Sequence, residues 1–363
     1  MNILNKLELK YKKVKYLCEL CGSKKFFVLQ NYGRISEPGN YGELKIQCCT
    51  NCGYKMQNPR FQKDFYIEYY NHLYRKIAFG DYKPSKLYLN QQQKRGAKLL
   101  EWTKENNIHK GTMLDHGCAS GATMIAWKKA GWETYGIDPH KPSINLGKEI
   151  GLNVELATGE KLPFNNNNFD LVLSLGSIEH AYDLKKTFLE LSRVIKLNGH
   201  LLIRWRSDKI FGSPLEYYNH NHYRFFTTKT LKILLLKYGF KTLKTSNKKI
   251  EGWDSYAYIL CKNTKELHKK IDTLKIVKKE LSNHSKIEKN KISVIRKSYY
   301  KRCISFIKFI ENKNVNYDKI FNDIKLNKKL KWGFLGGTSK FKIKRSILEA
   351  KKYIKLYQNN IVN

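Results

Sequence analysis

Four cysteines stand in two pairs, Cys18-x-x-Cys21 and Cys49-x-x-Cys52, and each pair is followed at once by glycine. Two thiolates on each of two tight knuckles can meet at one tetrahedral ion, with the glycine relieving the turn. The spacing predicts a structural zinc site on Cys18, Cys21, Cys49 and Cys52, closed to water because four thiolates fill the coordination sphere. Cys48 is expected to point away. A redox pair is the rival reading, but it needs only one Cys-x-x-Cys beside a helix. A second constellation lies further on. Thr112-Met113-Leu114 reads as a buried strand closed by Asp115. Gly117 and Gly121 follow in a tight turn, and Ala122–Ala130 reads as a helix ended by Gly131. Strand, glycine turn and helix make a nucleotide cradle at the carboxyl end of a parallel strand. Glu133–Asp138 is a second strand, and its terminal acid arrives 23 residues after Asp115. A carboxylate so placed can accept both hydroxyls of a ribose. The alternative is an Asp138 that merely caps a helix.

The turn lacks the Gly-Lys-Ser/Thr ending of a phosphate loop and the three-glycine spacing of a dinucleotide site. It resembles motif I of the class I S-adenosylmethionine-dependent methyltransferases. The similarity continues downstream in Leu162-Pro163-Phe164, in Phe169-Asp170 opening the fourth strand, in Glu179-His180 after it, and in the turn Arg193–Gly199 before the fifth. It covers about residues 111–262. Leu197 stands where that family carries proline, His200 replaces its second glycine, and Thr158 falls where an acid often contacts adenine. The resemblance implies cofactor contacts from Asp115, Gly117, Cys118 and Gly121 at the methionine end and from Asp138 and Pro139 at the ribose. It implies Thr158, Gly159 and Leu162 at adenine, with Ser174 closing the fourth strand. Backbone amides, Thr158 or Glu160 would then recognise the base.

The cysteine module, ending Cys49-x-x-Cys52-Gly-x-x-x-x-Asn58-Pro59-Arg60, resembles the amino-terminal zinc module of bacterial methyltransferases of sugar, surface-polysaccharide and secondary-metabolite pathways. That resemblance implies O-methylation of a sugar, a sugar-derived small molecule or a glycan. Ser174-Leu-Gly-Ser177 stands where enzymes that methylate amino groups of DNA bases carry an Asn/Asp-Pro-Pro-Tyr/Phe tetrad. A hydroxyl acceptor needs help losing its proton, and histidine is the natural base near neutral pH. The candidates are His180 after strand four, and His220 and His222 in the polar, aromatic loop after strand five. Arg224 is a candidate anchor for an anionic substrate.

These groups need an α/β scaffold: a Rossmann-like, seven-stranded, mostly parallel sheet, with a small zinc module before it and a basic, mainly helical region after it. The divisions read as 1–60 (zinc module), 61–110 (linker and cap helices), 111–262 (catalytic domain) and 263–363 (basic helices). Tyr66, Tyr69, Tyr70 and Tyr74 recur at near-helical spacing and are expected to pack a linker helix on the core. Residues 88–109 read as the next helix. The fifth strand is expected at His200–Trp205, the sixth near Phe240–Lys244 and the seventh at Ser255–Cys261.

The net charge of +38 is spread as +12 over residues 1–110, +7 over 111–262 and +19 over 263–363. The catalytic segment is therefore the least basic part, and the charge speaks to non-specific association more than to chemistry. Leu274–Leu281, Ile292–Ile310 and Ile347–Tyr357 have helical patterns, and Trp332–Thr338 is a glycine turn. The apolar side of Ile292–Ile310 is expected to pack on the protein. Weak, non-specific contact with anionic membrane or RNA through 263–363 is the expected partner behaviour, and RNA methylation is the second functional reading. A non-enzymatic cofactor-binding adaptor is the third. No stretch approaches the roughly 18 apolar residues of a membrane span, and the amino terminus has no signal-peptide core. The expected location is the cytoplasm, with peripheral contact at the inner membrane surface.

Overall fold

A computed structural model describes residues 3–35, 40–79, 83–206, 214–247, 256–265, 279, 281–311, 340–359 and 361. The chain begins with α1 (Ile3–Lys10) and β1 (Lys13–Val14), followed by the first cysteine knuckle. β2 (Phe26–Arg34) and β3 (Tyr41–Cys49) pair antiparallel, with Phe26 opposite Cys49, so the second knuckle starts where the hairpin ends. β4 (Lys55–Gln57) leaves that knuckle and returns along β3. Gly22 and Gly53 close the two knuckles at φ +72° and +69°, a left-handed backbone that glycine adopts without strain. The fourth strand of this small sheet, Arg224–Phe225, comes from the loop after the fifth strand of the catalytic sheet. β5 (Arg60–Phe61) pairs with β1.

α2 (Lys63–His72), α3 (Tyr74–Phe79) and α4 (Lys86–Lys104) link the module to the large domain. Tyr66 and Tyr69 are buried with Leu4, Leu7, Phe61, Phe65 and Tyr223, as expected of a packed linker helix. The helix expected over 88–109 begins earlier, where the Ser85 side chain accepts the Tyr88 N–H. It ends earlier too, ahead of Asn107 at φ +57°.

The large domain runs β6 (Thr112–His116), α5 (Met124–Lys129), β7 (Glu133–Asp138), α6 (Lys141–Glu149), β8 (Val154–Leu156), β9 (Phe169–Leu175), a 3-10 turn (Ile178–His180), α7 (Leu184–Val194) and β10 (Ile195–Arg206). It continues through α8 (Pro214–Tyr217), β11 (Arg224–Phe225), α9 (Thr228–Lys237), β12 (Phe240–Ser246) and β13 (Tyr256–Asn263). The sheet order is β12-β13-β10-β9-β6-β7-β8, and β13 alone runs against its neighbours. Successive residues of the central strands face opposite layers. Leu114, Val172 and Ile203 join Phe188, Leu191 and Leu234 under α7 and α9. Met113, Leu173 and Leu202 join Leu99, Trp127 and Ile144 under α4, α5 and α6. The first core is continuous with Cys18, Leu20, Cys52 and Tyr54, so the cysteine module is seated on α9. β10 starts at Ile195, five residues ahead of the expected His200, because Ile195 already pairs with Phe169 before a bulge containing Asn198 at φ +65°.

α10 (His284–Glu311) and α11 (Lys340–Gln358) pack on each other around Tyr299, Cys303, Phe306 and Tyr353. Those four side chains are thereby buried. α10 is tied to the module by a buried Lys55–Glu288 ion pair and by Arg296 donating to Gln30 Oε1 at 3.1 Å. Leu274–Leu281 (apart from Lys279 and Leu281), Trp332–Thr338 and Ser255 lie outside the described residues. Among the described residues no helix is long and apolar enough to cross a membrane.

Candidate functional site

Three left-handed residues shape the cradle after β6: Gly117 at φ +79°, Ala119 at +51° and Gly121 at +75°. The amides of Gly117 and Cys118 both donate to Ile137 O at 2.9 Å, binding the turn to β7. A Cβ on Gly117 would collide with Ser177 Oγ, which itself donates to His116 O at 2.8 Å. The tips of β6, β7 and β9 are thus drawn together. Asp138 ends β7 among them. Its Oδ2 accepts the Ala119 amide at 2.9 Å and its Oδ1 the His140 amide at 2.8 Å. Burial raises its pKa, and those two amides pull the other way. His140, not Asp138, caps α6, accepting from Ser143 N. Each carboxylate oxygen keeps a lone pair beyond these contacts, so the cradle fits a nucleoside whose hydroxyls donate to it. Pro139 follows directly.

The other cofactor candidates divide. Asp115 lies inside β6 and is buried, rather than closing the strand. Cys118 is buried, and its sulfur fills the space a side chain on Gly136 would need. Thr158 bridges to Lys161, Gly159 lies against the His116 ring, and Leu162 is buried with its amide on Glu190 Oε2 at 2.8 Å. Ser174 lies 3.1 Å from His116 Nδ1. Glu160, offered as an adenine contact, instead accepts the amides of Tyr182 and Asp183 at 3.0 and 3.1 Å, ahead of α7. His116 itself was missed by sequence reasoning, although it stands between Asp115 and Gly117. Burial lowers its pKa to about 4.

Past β9, His180 and His222 meet edge to face. Tyr70 OH lies 2.8 Å from His180 Nδ1. Burial brings His180 down to about 4 and drives His222 well below the ordinary range, with His180, Arg206 and Arg34 adding to the second shift. Both rings are therefore neutral near pH 7. Glu179 stands beside them, buried, and burial raises it to about 7. One ligand atom from each of Glu179, His180 and His222 falls within 4.8 Å of the others. Such a trio could hold a cation. However, Asn219 Nδ2 lies 3.3 Å from His222 Nδ1 while its Oδ1 accepts two amides. An amide donating to Nδ1 puts the ring proton on Nε2, so in this tautomer His222 presents a donor rather than a lone pair and neither ligates a cation nor takes a proton.

His220 and Arg224 are not part of this group. The His220 ring turns the other way, packs on Phe61, Phe65 and Tyr69, and its Nε2 lies 3.3 Å from Glu8 of α1. Arg224 is fully buried and bonds Glu19, donating from Nε to Oε2 at 2.6 Å and from Nη2 to Oε1. It also donates to the carbonyls of Ala181 and Tyr182. Arg60 and Tyr54 complete the shell around Glu19 at 3.0 Å each. No guanidinium edge of Arg224 is left for a substrate anion. The run Tyr223–Phe226 gave no sign of this, because its partner lies 205 residues away.

Cys18, Cys21, Cys49 and Cys52 converge, with all four sulfurs within 4.8 Å of one another. Cys18 and Cys52 are 3.5 Å apart and Cys21 and Cys49 3.6 Å. A tetrahedral ion with metal–sulfur bonds of about 2.3 Å places its sulfurs about 3.8 Å apart, so the four fit one ion. Cys48 is turned into the cluster of Leu29, Leu44, Ile46 and Tyr218.

Residues 114–203 match the family model described as a methyltransferase domain. An uncharacterized methyltransferase of Bacillus subtilis (strain 168) is 26% identical over 98 residues, which are 25% of this chain and 39% of the relative. A ubiquinone biosynthesis O-methyltransferase of Pelagibacter ubique (strain HTCC1062) is 28% identical over 97 residues, 25% of this chain and 40% of the relative. The chain thus spans less than half the length of either. A solved S-adenosylmethionine-dependent methyltransferase from Thermotoga maritima has 21% identity and a TM-score of 0.38, covering 47% of this chain and 91% of that one.

Proposed function

We propose that this chain, whose residues 114–203 match a methyltransferase domain, is a class I S-adenosylmethionine-dependent methyltransferase that methylates an oxygen of a sugar, a sugar-derived small molecule or a glycan. One observation supports an oxygen acceptor above the others: neutral His180, whose Nε2 can accept a proton when its Nδ1–H faces Tyr70 OH, stands after β9 against the ring of His222. A hydroxyl must give up a proton as it is methylated, and a neutral imidazole can take it. The relative from Pelagibacter is itself named an O-methyltransferase. S-adenosylmethionine, when bound, supplies a methyl carbon that is already electrophilic. The protein's task is alignment, exclusion of water and removal of one proton. In this reading the turn 117–121 holds the methionine end of the cofactor and Asp138 its ribose, and Tyr70 and Asn219 fix the two rings. Glu179 sets the local charge.

The four cysteines are proposed to hold a structural zinc ion, on the strength of their sulfur spacing. A second reading, an RNA acceptor, draws on the net charge of +19 in residues 263–363. Tritium transfer from labelled S-adenosylmethionine, run in parallel on small-molecule extract, lipid extract and unmodified total RNA, separates the two. The proposal expects label in a small molecule or lipid-linked glycan that survives nuclease. Label confined to one defined RNA, at a rate dependent on residues 263–363, would promote the second reading.

A further inference from the structure

We infer that the cysteine module is the positioning device of the acceptor site: its two knuckles hold the loops that carry His180 and His222. Two independent sets of bonds lead there. The first starts inside the knuckle itself, at Glu19 between Cys18 and Cys21. Glu19 takes two bonds from Arg224, and Arg224 passes on to the carbonyls of Ala181 and Tyr182, the two residues after His180. Arg60, also on Glu19, reaches the Tyr182 carbonyl at 3.3 Å. The second starts at β4, which leaves the Cys49–Gly53 knuckle. Gln57 Nε2 donates to the carbonyls of Asn219, His220 and His222 at 3.1, 2.9 and 2.7 Å. The Gln57 amide donates to Tyr223 O at 2.9 Å. The two sets meet where Tyr223 N donates to Glu179 O at 3.0 Å.

The burial of these groups gives the coupling its force. Arg224, Arg60 and Gln57 are all nearly inaccessible to water, so a partner withdrawn in the core is not replaced by solvent. β11 itself is only two residues long and pairs with β4 alone. Among the described residues, the histidine loop has no other ladder to hold its backbone once detached from the module. The glycine cradle, by contrast, is bonded to β7 and β9 within the large sheet. The acceptor site and the cofactor site therefore depend on different parts of the chain. Loss of the knuckles, by removal of the metal or oxidation of the thiols, is expected to disorder the first and spare the second. Glu19, Gln57 and Arg224 are positioning residues on this account. The inference rests on the proposed roles of zinc and of the two histidines.

Hydrogen exchange on the full chain tests it without an acceptor. The zinc-loaded protein is compared with the chelator-stripped protein, and with Arg224→Lys and Glu19→Gln in their zinc-loaded forms. Exchange across 178–183 and 219–225 should rise about tenfold in all three, while exchange across 112–121 and S-adenosylmethionine affinity by calorimetry stay within about twofold. The imidazole resonances of His180 and His222 should shift in Arg224→Lys, a lesion that leaves every cysteine in place. Unchanged exchange at 178–183 and 219–225 after zinc removal would overturn the inference, as would equal acceleration at 112–121. A variant that fails to fold leaves the stripped wild-type comparison to decide. Failure to find an oxygen acceptor would not alter any of these readouts.

Discussion

The rings of His180 and His222 stand edge to face, 4.7 Å between centroids and 79° between planes. They come from loops 42 residues apart, one after β9 and one after β10, and no sheet register joins them directly. Replacing His180 by glutamine should lower turnover by roughly 10²–10⁴ if it takes the acceptor proton, and replacing His222, which packs against it, should lower turnover less. S-adenosylmethionine affinity should be nearly intact, because neither ring forms part of the glycine turn. His220→Gln should leave turnover within a few-fold of wild type, since that ring faces Glu8 and Phe65. Steady-state rates for the three variants check this. A large loss for His220 alone would place the base elsewhere.

The buried histidines also fix the sign of the acid response. His116 and His180 titrate near 4 in the fold, against 6.5 for the free side chain. Between those values the unfolded chain binds protons that the folded chain refuses, so stability is full above pH 6.5 and declines as pH falls towards 4. For His116 the contribution is on the order of 3 kcal/mol. Glu179 acts in the opposite sense. Its folded pKa of about 7 against 4.5 means that it loses stability as pH rises through that window. Glu179→Gln should therefore steepen the acid decline, and His116→Gln should flatten it. Urea midpoints from pH 4 to 8 would show both, and no change of slope in either variant would contradict the burial account.

The knuckle cysteines are separable from their neighbour. Cys49→Ser should release about one equivalent of zinc and lower the unfolding midpoint, because a tetrathiolate site contributes folding free energy directly. Cys48→Ser should keep the metal, since its side chain lies in the Leu29–Ile46 cluster. Metal analysis of the purified variants decides between them. Zinc lost from Cys48→Ser and kept by Cys49→Ser would mean that the neighbouring thiol is the ligand.

The parts legible in the sequence were the local ones. The cradle is written within ten residues and its acid follows at a fixed distance, so strand, turn and Asp138 could be placed from spacing. Two cysteine pairs declare themselves in the same way. Arg224 and Glu19 could not be paired in advance, because 205 residues separate them and a buried arginine looks like a substrate anchor until its partner is seen. His220 and His222 were indistinguishable in type and loop. Only the pairing of Tyr223–Phe225 with the module shows which of them faces His180. His116 was hidden by its position inside a motif whose glycines and acids drew the attention.

The turn at 117–121 with Asp138 is proposed to bind S-adenosylmethionine, and calorimetric titration of the full chain tests this most directly. The wild-type protein should bind about one equivalent. Asp138→Ala should raise the dissociation constant by tenfold or more, as expected for a charged hydrogen bond of roughly 1.5–3 kcal/mol. Unchanged affinity in that variant, or binding of a nicotinamide dinucleotide with none of S-adenosylmethionine, would contradict the account.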